Sequence, residues 1–274
     1  SPGNPSVVPQ NMTGAGGLRM INYLYNVAAK DGTYVGMIAN AFPAMQAAGV
    51  SGVQFDATRM QWLGSIAPVV ETMAIWHTTG VKSIEDARQR EVVVGATTRG
   101  AITYTYPAIM NELLGTKFKI VTGYPGGNQI NLAMERGEVE ARNNTWSSWK
   151  ATKAAWLKDR QIAIIAQAGP RAPDLDAPSV ETLVRDPQDR QFIELVMSAT
   201  QLGRPLATNA APANRVAALR AAFAATMKDP EFLAEAKALN FDVDPVLGEK
   251  MQQIVENVLA TPKPVAARAK ALLE

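Results

Sequence analysis

The feature that most constrains the fold is a recurring pattern in which an apolar, β-rich run ends in glycine and is followed by helical periodicity. This pattern is typical of α/β units, because a strand followed by a helix returns the chain to the same edge of a sheet. We therefore predict an α/β protein with mostly parallel sheets and helices on both faces. The strand-and-loop segments are residues 6–17, 91–101 and 117–127. The first two are followed by helices that begin near Leu18 and Ile102, and the third by a helix that runs through Ala133 to Arg136.

Length and composition limit the function classes. The chain has 274 residues, and at roughly 150 residues per domain this predicts about two domains. The 27 basic and 25 acidic residues leave a formal charge of +2, too weak for a dedicated nucleic-acid or anionic-membrane surface. No run reaches the roughly 18 apolar residues of a membrane span, and Ser1 is not followed by a signal peptide, so we expect a mature or trimmed soluble chain.

Few side chains could support catalysis. Cysteine is absent and His77 is the single histidine, which excludes thiolate nucleophiles and His-rich zinc sites. We interpret His77 as structural or surface-exposed.

No Walker sequence occurs, and "GAGGLR" has Arg19 where a dinucleotide-binding loop needs its third glycine. Asp174 and Asp176 lie among prolines and are predicted to be turn residues rather than a catalytic pair.

The three glycine loops are the best candidate binding elements. Glycine lets a ligand approach the backbone, and the first turn of the following helix offers unpaired N–H groups with partial positive charge. Such loops suit a carboxylate or phosphate, although tight α/β turns also need glycine. Arg99 and the segment Arg142–Thr145 could contact the anion or be solvated surface. Tyr104, Tyr106, Tyr124, Trp146 and Trp149 could form an aromatic wall or belong to the core.

The remaining segments complete the prediction. Asp229 and Pro230 are a helix N-cap and first-turn pair. The predicted strands are 33–39, 137–143, 161–169 and 241–245, and the predicted C-terminal helices are 214–227, 230–240, 248–259 and 264–273.

The sequence resembles the extracytoplasmic receptors of tripartite tricarboxylate transporters, the Bug-type solute receptors. The matching text is spread over nearly the whole chain in the order of the family. It comprises "NMTGAGGLRMINYLYNVAAKDGTYVGM", "VVVGATTRGA", "GYPGGNQINLAMERGEVEA" and "TNAAPANRVAALRAAFAATMKDPEFLAEAKALNFDVDP".

The resemblance implies a periplasmic, monomeric receptor, neither an enzyme nor dependent on a cofactor, that passes a small organic carboxylate to membrane permease subunits. The ligand class is a mono- or dicarboxylate, aromatic acids included. Two lobes, residues 1–76 with 203–274 and residues 77–202, would close as a type II clamshell, with hinges near 73–79 and 199–205. The implied ligand-binding residues are Gly14, Ala15, Gly16, Gly17, Thr97, Thr98, Arg99, Gly100, Ala101, Tyr124, Gly126, Gly127 and Asn144.

The chain also departs from the family. Asn144 stands where the family often has aspartate and Arg99 where it usually has a small residue, so the ligand is expected to differ at its far end. The family has a strand-loop-helix unit before the part that matches from Ser6 onward, and we expect either that the given sequence is a fragment, that its start lies downstream of the true one, or that another element fills this place. The alternatives are an α/β enzyme acting on a phosphorylated or CoA-linked metabolite, and a regulator's effector domain.

Overall fold

A computed structural model of the chain describes residues 6–12, 14, 17–239 and 241–274. These residues form an α/β protein, as predicted, with two compact units. One unit comprises Ser1–Pro68 and Gln201–Pro262, and the other comprises Val69–Thr200 and Lys263–Glu274. No helix among the described residues has the length and apolar character needed to cross a membrane.

The first unit is built on a four-stranded antiparallel sheet in the order β1-β8-β2-β9. Its strands are β1 (Gly36–Met37), β2 (Gln61–Ser65), β8 (Pro205–Thr208) and β9 (Val246–Leu247). Its helices are α1 (Leu18–Asn26), α2 (Phe42–Ala47), α10 (Ala213–Thr226), α11 (Pro230–Ala238) and α12 (Gly248–Leu259), with a 3₁₀ turn at Ala57–Arg59.

The core of the first unit lies on the β2 strand. Trp62 is fully buried there, and the α1 residue Ile21 and the α12 residue Met251 are fully buried as well. Gly64 lies at a register shift in β2, and a β-carbon on it would stand 2.1 Å from the Phe223 ring. This glycine is therefore required by the packing of α10 on the sheet.

The second unit is built on a five-stranded mixed sheet in the order β5-β4-β6-β3-β7. Its strands are β3 (Glu71–Trp76), β4 (Val92–Gly95), β5 (Phe118–Val121), β6 (Ala141–Thr145) and β7 (Ile162–Ala168). Its helices are α3 (Ile84–Gln89), α4 (Ile102–Leu114), α5 (Gly127–Glu135), α6 (Trp146–Thr152), α7 (Ala154–Lys158), α8 (Val180–Leu183), α9 (Pro187–Leu202) and α13 (Lys263–Leu273), with a 3₁₀ turn at His77–Thr79.

The prediction of mostly parallel sheets was wrong. Only β4–β5 and β4–β6 are parallel among the seven pairings of these strands, and the other five are antiparallel. Parallel pairing needs a helical crossover between strands, which α4 and α5 provide. The pairs β1–β8, β2–β8 and β2–β9 join distant parts of the chain without such a crossover. In the second sheet β3 lies between β6 and β7 and runs opposite to both.

Two predicted strands are absent. Residues 6–12 form no strand, and the segment 241–245 is irregular, with β9 beginning after it. The strand predicted at residues 33–39 is reduced to Gly36–Met37. In contrast, the predicted limits of α12 and the predicted helix at residues 102–114 agree with the structure.

The compact units divide the chain at other positions than the sequence suggests. The strand β3 joins the second unit because it pairs with β6 and β7. Helix α13, which the sequence assigned to the first lobe, also joins the second unit. Its Arg268 Nε donates to Glu112 Oε1 at 2.7 Å and its NH1 donates to Asp189 Oδ1 at 2.6 Å, so that α4, α9 and α13 are linked.

Candidate functional site

The second unit brings three of the predicted segments to one edge of its sheet. The strands β4, β5 and β6 run parallel, with Gly95 beside Val121 at the ends of β4 and β5. Since the carboxyl ends of parallel strands meet at the same edge, the loops 96–101 and 122–126 and the end of β6 lie together. This edge, with the first turns of α4 and α5, is the candidate site.

Backbone hydrogen bonds join the two loops directly. The Ala96 N–H donates to Val121 O at 2.8 Å, and the Gly123 N–H donates to Thr97 O at 2.9 Å. The Tyr124 N–H donates back to Ala96 O at 3.4 Å. These backbone hydrogen bonds therefore hold the predicted site residues Thr97 and Tyr124 close together.

Helix α4 begins without a side-chain cap. Its N-cap residue is Ala101, which carries no side-chain acceptor, so the N–H groups of Ile102 and Thr103 have no partner within the helix. Thr97 is otherwise engaged, because its N–H donates to Thr103 Oγ1 at 3.1 Å and the two hydroxyls lie 2.9 Å apart. The Ala101 N–H donates to Thr98 O at 3.3 Å. The free donors are thus those of the first helical turn rather than those of Thr97 and Ala101.

Gly100 is required by the fold. Its φ is +76°, in the left-handed region, and a β-carbon would stand 2.5 Å from the carbonyl oxygen of Leu273 at the end of α13. The space that a side chain would occupy at residue 100 is therefore filled by the end of α13.

Arg99 is an exposed cation beside this turn. Its Cζ lies 5.6 Å from the centroid of the Tyr104 ring, a cation–π distance. Across the described residues, no ion pair joins Arg99 to an acidic side chain. Its charge is therefore available to an anion at this edge.

Helix α5 also begins without a side-chain cap. Its N-cap residue is Gly126, whose φ of −177° is extended backbone that any residue adopts. At Gly127, by contrast, a β-carbon would stand 2.7 Å from both terminal nitrogens of Arg142. Gly127 is therefore needed by the close approach of a guanidinium.

Arg142 is buried, with 5% of its surface exposed, and not solvated or positioned to contact an anion directly. Its NH1 donates to Gly127 O at 2.5 Å and to Asn131 Oδ1 at 2.8 Å, and its Nε donates to Asn143 O at 3.0 Å. Burial lowers the pKa of Arg142 to about 10, and the charge of Glu71 acts in the opposite direction. The guanidinium is thus a cation at neutral pH beneath the first turn of α5.

Glu71 and Tyr106 are buried polar residues near this edge, and of the two only Tyr106 was a candidate from the sequence. Glu71 begins β3 and accepts a hydrogen bond from Asn143 Nδ2 at 2.9 Å. The hydroxyl of Tyr106 is buried, and burial raises its pKa well above the ordinary value, with Glu181 and Glu71 adding to the effect. The isolated glutamate in the apolar run "PVVETMAIW" was the available sequence signal for Glu71.

Asn144 lies half-buried on β6, and its carbonyl accepts a hydrogen bond from Thr72 Oγ1 at 2.7 Å.

The predicted aromatic residues lie partly in the core and partly outside it. Tyr106 and Trp149 belong to the core, whereas Trp146 is partly buried and donates to Asp174. His77 is exposed after the far end of β3, and Asp174 lies in a turn, as predicted.

The predicted loop of the first unit is described only in part. Ala15 and Gly16 lie outside the described residues. The Gly17 N–H donates to Gly14 O at 2.9 Å, and Gly17 adopts a φ of 93° as the N-cap of α1, which has no side-chain cap. A third uncapped helix thus begins at this loop.

The described residues contain no group of three or more His, Asp or Glu that could hold a metal ion. No protein-family model matches the chain, and no curated protein matches it.

Solved structures share the fold. A TctC solute-binding protein from Polaromonas has a TM-score of 0.68 at 17% identity, with 94% of this chain and 86% of that chain covered. A protein of R. palustris with adipate has a TM-score of 0.70 at 18% identity, with 96% and 86% covered. MatC from Rhodopseudomonas palustris with bound malate has a TM-score of 0.64 at 16% identity, with 94% and 86% covered. The chain therefore has the two-lobed α/β fold of TctC-type periplasmic solute-binding proteins.

Proposed function

We propose that this chain is a periplasmic receptor that binds a small organic carboxylate and delivers it to a tripartite tricarboxylate-type membrane transporter. The observation that carries the proposal is the meeting of two uncapped helices, α4 and α5, at one edge of the second unit's sheet. Their free N–H groups and partial positive charges favour an anion. The chain binds its ligand without making or breaking a bond.

Two further observations support a carboxylate. The exposed cation Arg99 lies beside the first turn of α4 with no acidic partner in the described part of the chain. Structures of the same fold hold adipate and malate, which are both dicarboxylates. The ligand class proposed here is a mono- or dicarboxylate of low molecular weight, with aromatic acids included.

Isothermal titration calorimetry with C4 to C9 dicarboxylates, aromatic acids and amino acids tests the proposal. We expect at least one acid to bind with 1:1 stoichiometry, and the diamide of the same acid to bind at least about tenfold more weakly because it lacks the charge that the helix ends favour. The absence of binding by every acid would reject the proposed function.

A further inference from the structure

We propose that Arg142 is a positioning residue that supplies positive charge to this carboxylate site through the Gly127–Asn128 peptide, without touching the ligand. This inference rests on the proposed function. It assigns the buried Arg142 a role in ligand binding in addition to that of the exposed Arg99.

The geometry connects the guanidinium to one peptide unit. Arg142 NH1 donates to the Gly127 carbonyl, and the N–H of the same peptide unit belongs to Asn128. Asn128 is the second residue of α5, so its N–H has no acceptor within the helix, and the residue is exposed at the candidate site. A hydrogen bond to a carbonyl polarises the peptide and makes its N–H a stronger donor.

With the residues that the structure describes, Arg142 makes no direct ion pair, although the buried carboxylate of Glu71, which accepts from Asn143 Nδ2, acts on its charge from a greater distance. Its hydrogen-bond acceptors are two backbone carbonyls and the amide oxygen of Asn131, all neutral. In the described residues no salt bridge joins it to an acid. A buried cation acts through a lower effective dielectric than an exposed one, so its field at the first turn of α5 is less screened.

The position is also fixed. The guanidinium lies over the Trp149 ring, with Cζ 5.3 Å from the centroid, and Gly127 leaves room for it because it has no β-carbon. The ligand cannot reach the guanidinium, because only 5% of the residue is exposed. Arg142 can therefore influence an anion only without contact, through its electric field and through the peptide that it polarises.

The substitution Asn131→Asp separates charge from geometry. Aspartate has nearly the shape of asparagine and keeps an oxygen facing Arg142 NH1, but it places a negative charge 2.8 Å from the guanidinium. We expect adipate and malate, the probes in this experiment, to bind on the order of tenfold more weakly to this variant, since the added carboxylate opposes the charge of Arg142 beneath α5. A purely structural role for Arg142 predicts unchanged affinity, because the hydrogen bond persists.

The matched control is Gln188→Glu, which adds the same charge at an exposed position in the first turn of α9. Thr200, near the other end of α9, accepts a hydrogen bond from the Val69 N–H beside β3. Residue 188 lies about 18 Å from Thr200 along the helix axis, and therefore far from the sheet edge that β3 reaches. We expect its affinity for either acid to stay within about twofold of wild type.

The variants Arg142→Lys and Arg142→Gln provide a second test that does not depend on Asn131. Lysine keeps the charge and glutamine removes it, so the lysine variant should retain the tighter binding of the two. If Asn131→Asp folds, as judged by circular dichroism and thermal unfolding, and binds as tightly as wild type, the inference is overturned. Equal losses in Arg142→Lys and Arg142→Gln overturn it as well. If wild type binds no acid of the panel, the proposed function falls and this inference falls with it.

Discussion

At residue 127 the structure gives a reason for glycine that sequence patterns do not show. The β-carbon of Gly127→Ala would displace a buried, hydrogen-bonded guanidinium. We expect a loss of about 1–2 kcal/mol in the free energy of unfolding, because buried donors of Arg142 lose their acceptors. Urea unfolding measures this loss. Gly126→Ala is the control, since its β-carbon would meet Gln129 Oε1 at an ordinary 3.4 Å, and it should change stability by less than about 0.5 kcal/mol. Equal effects of the two substitutions would contradict the assignment.

The pKa of Asp174 is changed by its immediate hydrogen-bond partners. Burial alone would raise its pKa, but hydrogen bonds from Lys150 and Trp146 outweigh burial, so its pKa lies below the ordinary value of 3.8. A depressed pKa stabilises the folded state above pH 3.8, and that contribution is lost as the pH falls toward the lower folded-state pKa.

We therefore expect Asp174→Asn to reduce stability at pH 7 by less than about 1 kcal/mol, because the carboxylate is half exposed and screened. The difference from wild type should shrink below pH 3.8, as measured by urea unfolding across pH. Asp176→Asn, an exposed neighbour, serves as control and should match wild type. A deficit for Asp174→Asn that does not depend on pH would disprove the electrostatic explanation.

At the scale of elements, helix α13 shapes the loop after β4. Arg268 links α13 to α4 and α9 and lies over the Phe192 ring at 4.3 Å, while the Leu273 carbonyl covers Gly100. We expect Arg268→Ala to weaken the docking of α13 by about 1–3 kcal/mol, since two charge-assisted hydrogen bonds are lost.

Hydrogen exchange read by mass spectrometry checks this expectation. Amides of α13 and of residues 98–101 should exchange faster in Arg268→Ala, whereas Lys270→Ala, which removes only an exposed pair with Glu274 at 3.6 Å, should leave them unchanged. Faster exchange in α13 alone would show that the helix does not support the loop.

Local signals predicted several elements because their causes lie within a few residues. Asp229 caps α11 by accepting from the N–H groups of Glu231 and Phe232 at 2.9 and 3.0 Å, as its position before Pro230 predicts. The predictions of strands at residues 6–12 and 241–245 were wrong. A strand needs a hydrogen-bonding partner, and no local sequence pattern specifies that partner.

For the whole molecule, ligand binding should appear as thermal stabilisation. A ligand at a hundredfold excess over its Kd adds about 2.7 kcal/mol to the free energy of unfolding, which corresponds to an upward shift of roughly 5–10 °C in Tm for a chain of this size. Differential scanning fluorimetry with adipate and malate measures the shift. Arg142→Gln at the same ligand concentration should show a smaller one, and equal shifts in both proteins would argue against a contribution of Arg142 to binding.

The sequence by itself determined the α/β class, the helix limits of α4 and α12, and the segments that meet at the candidate site. Each of these follows from periodicity, capping or strand-loop-helix order within one stretch of chain. Only the tertiary structure decided that most strand pairings are antiparallel, that α13 belongs with the second unit, and that Gly100 and Gly127 accommodate Leu273 and Arg142. These contacts join residues far apart in the chain, and the pattern around a glycine does not show whether a ligand or a side chain fills the space it leaves.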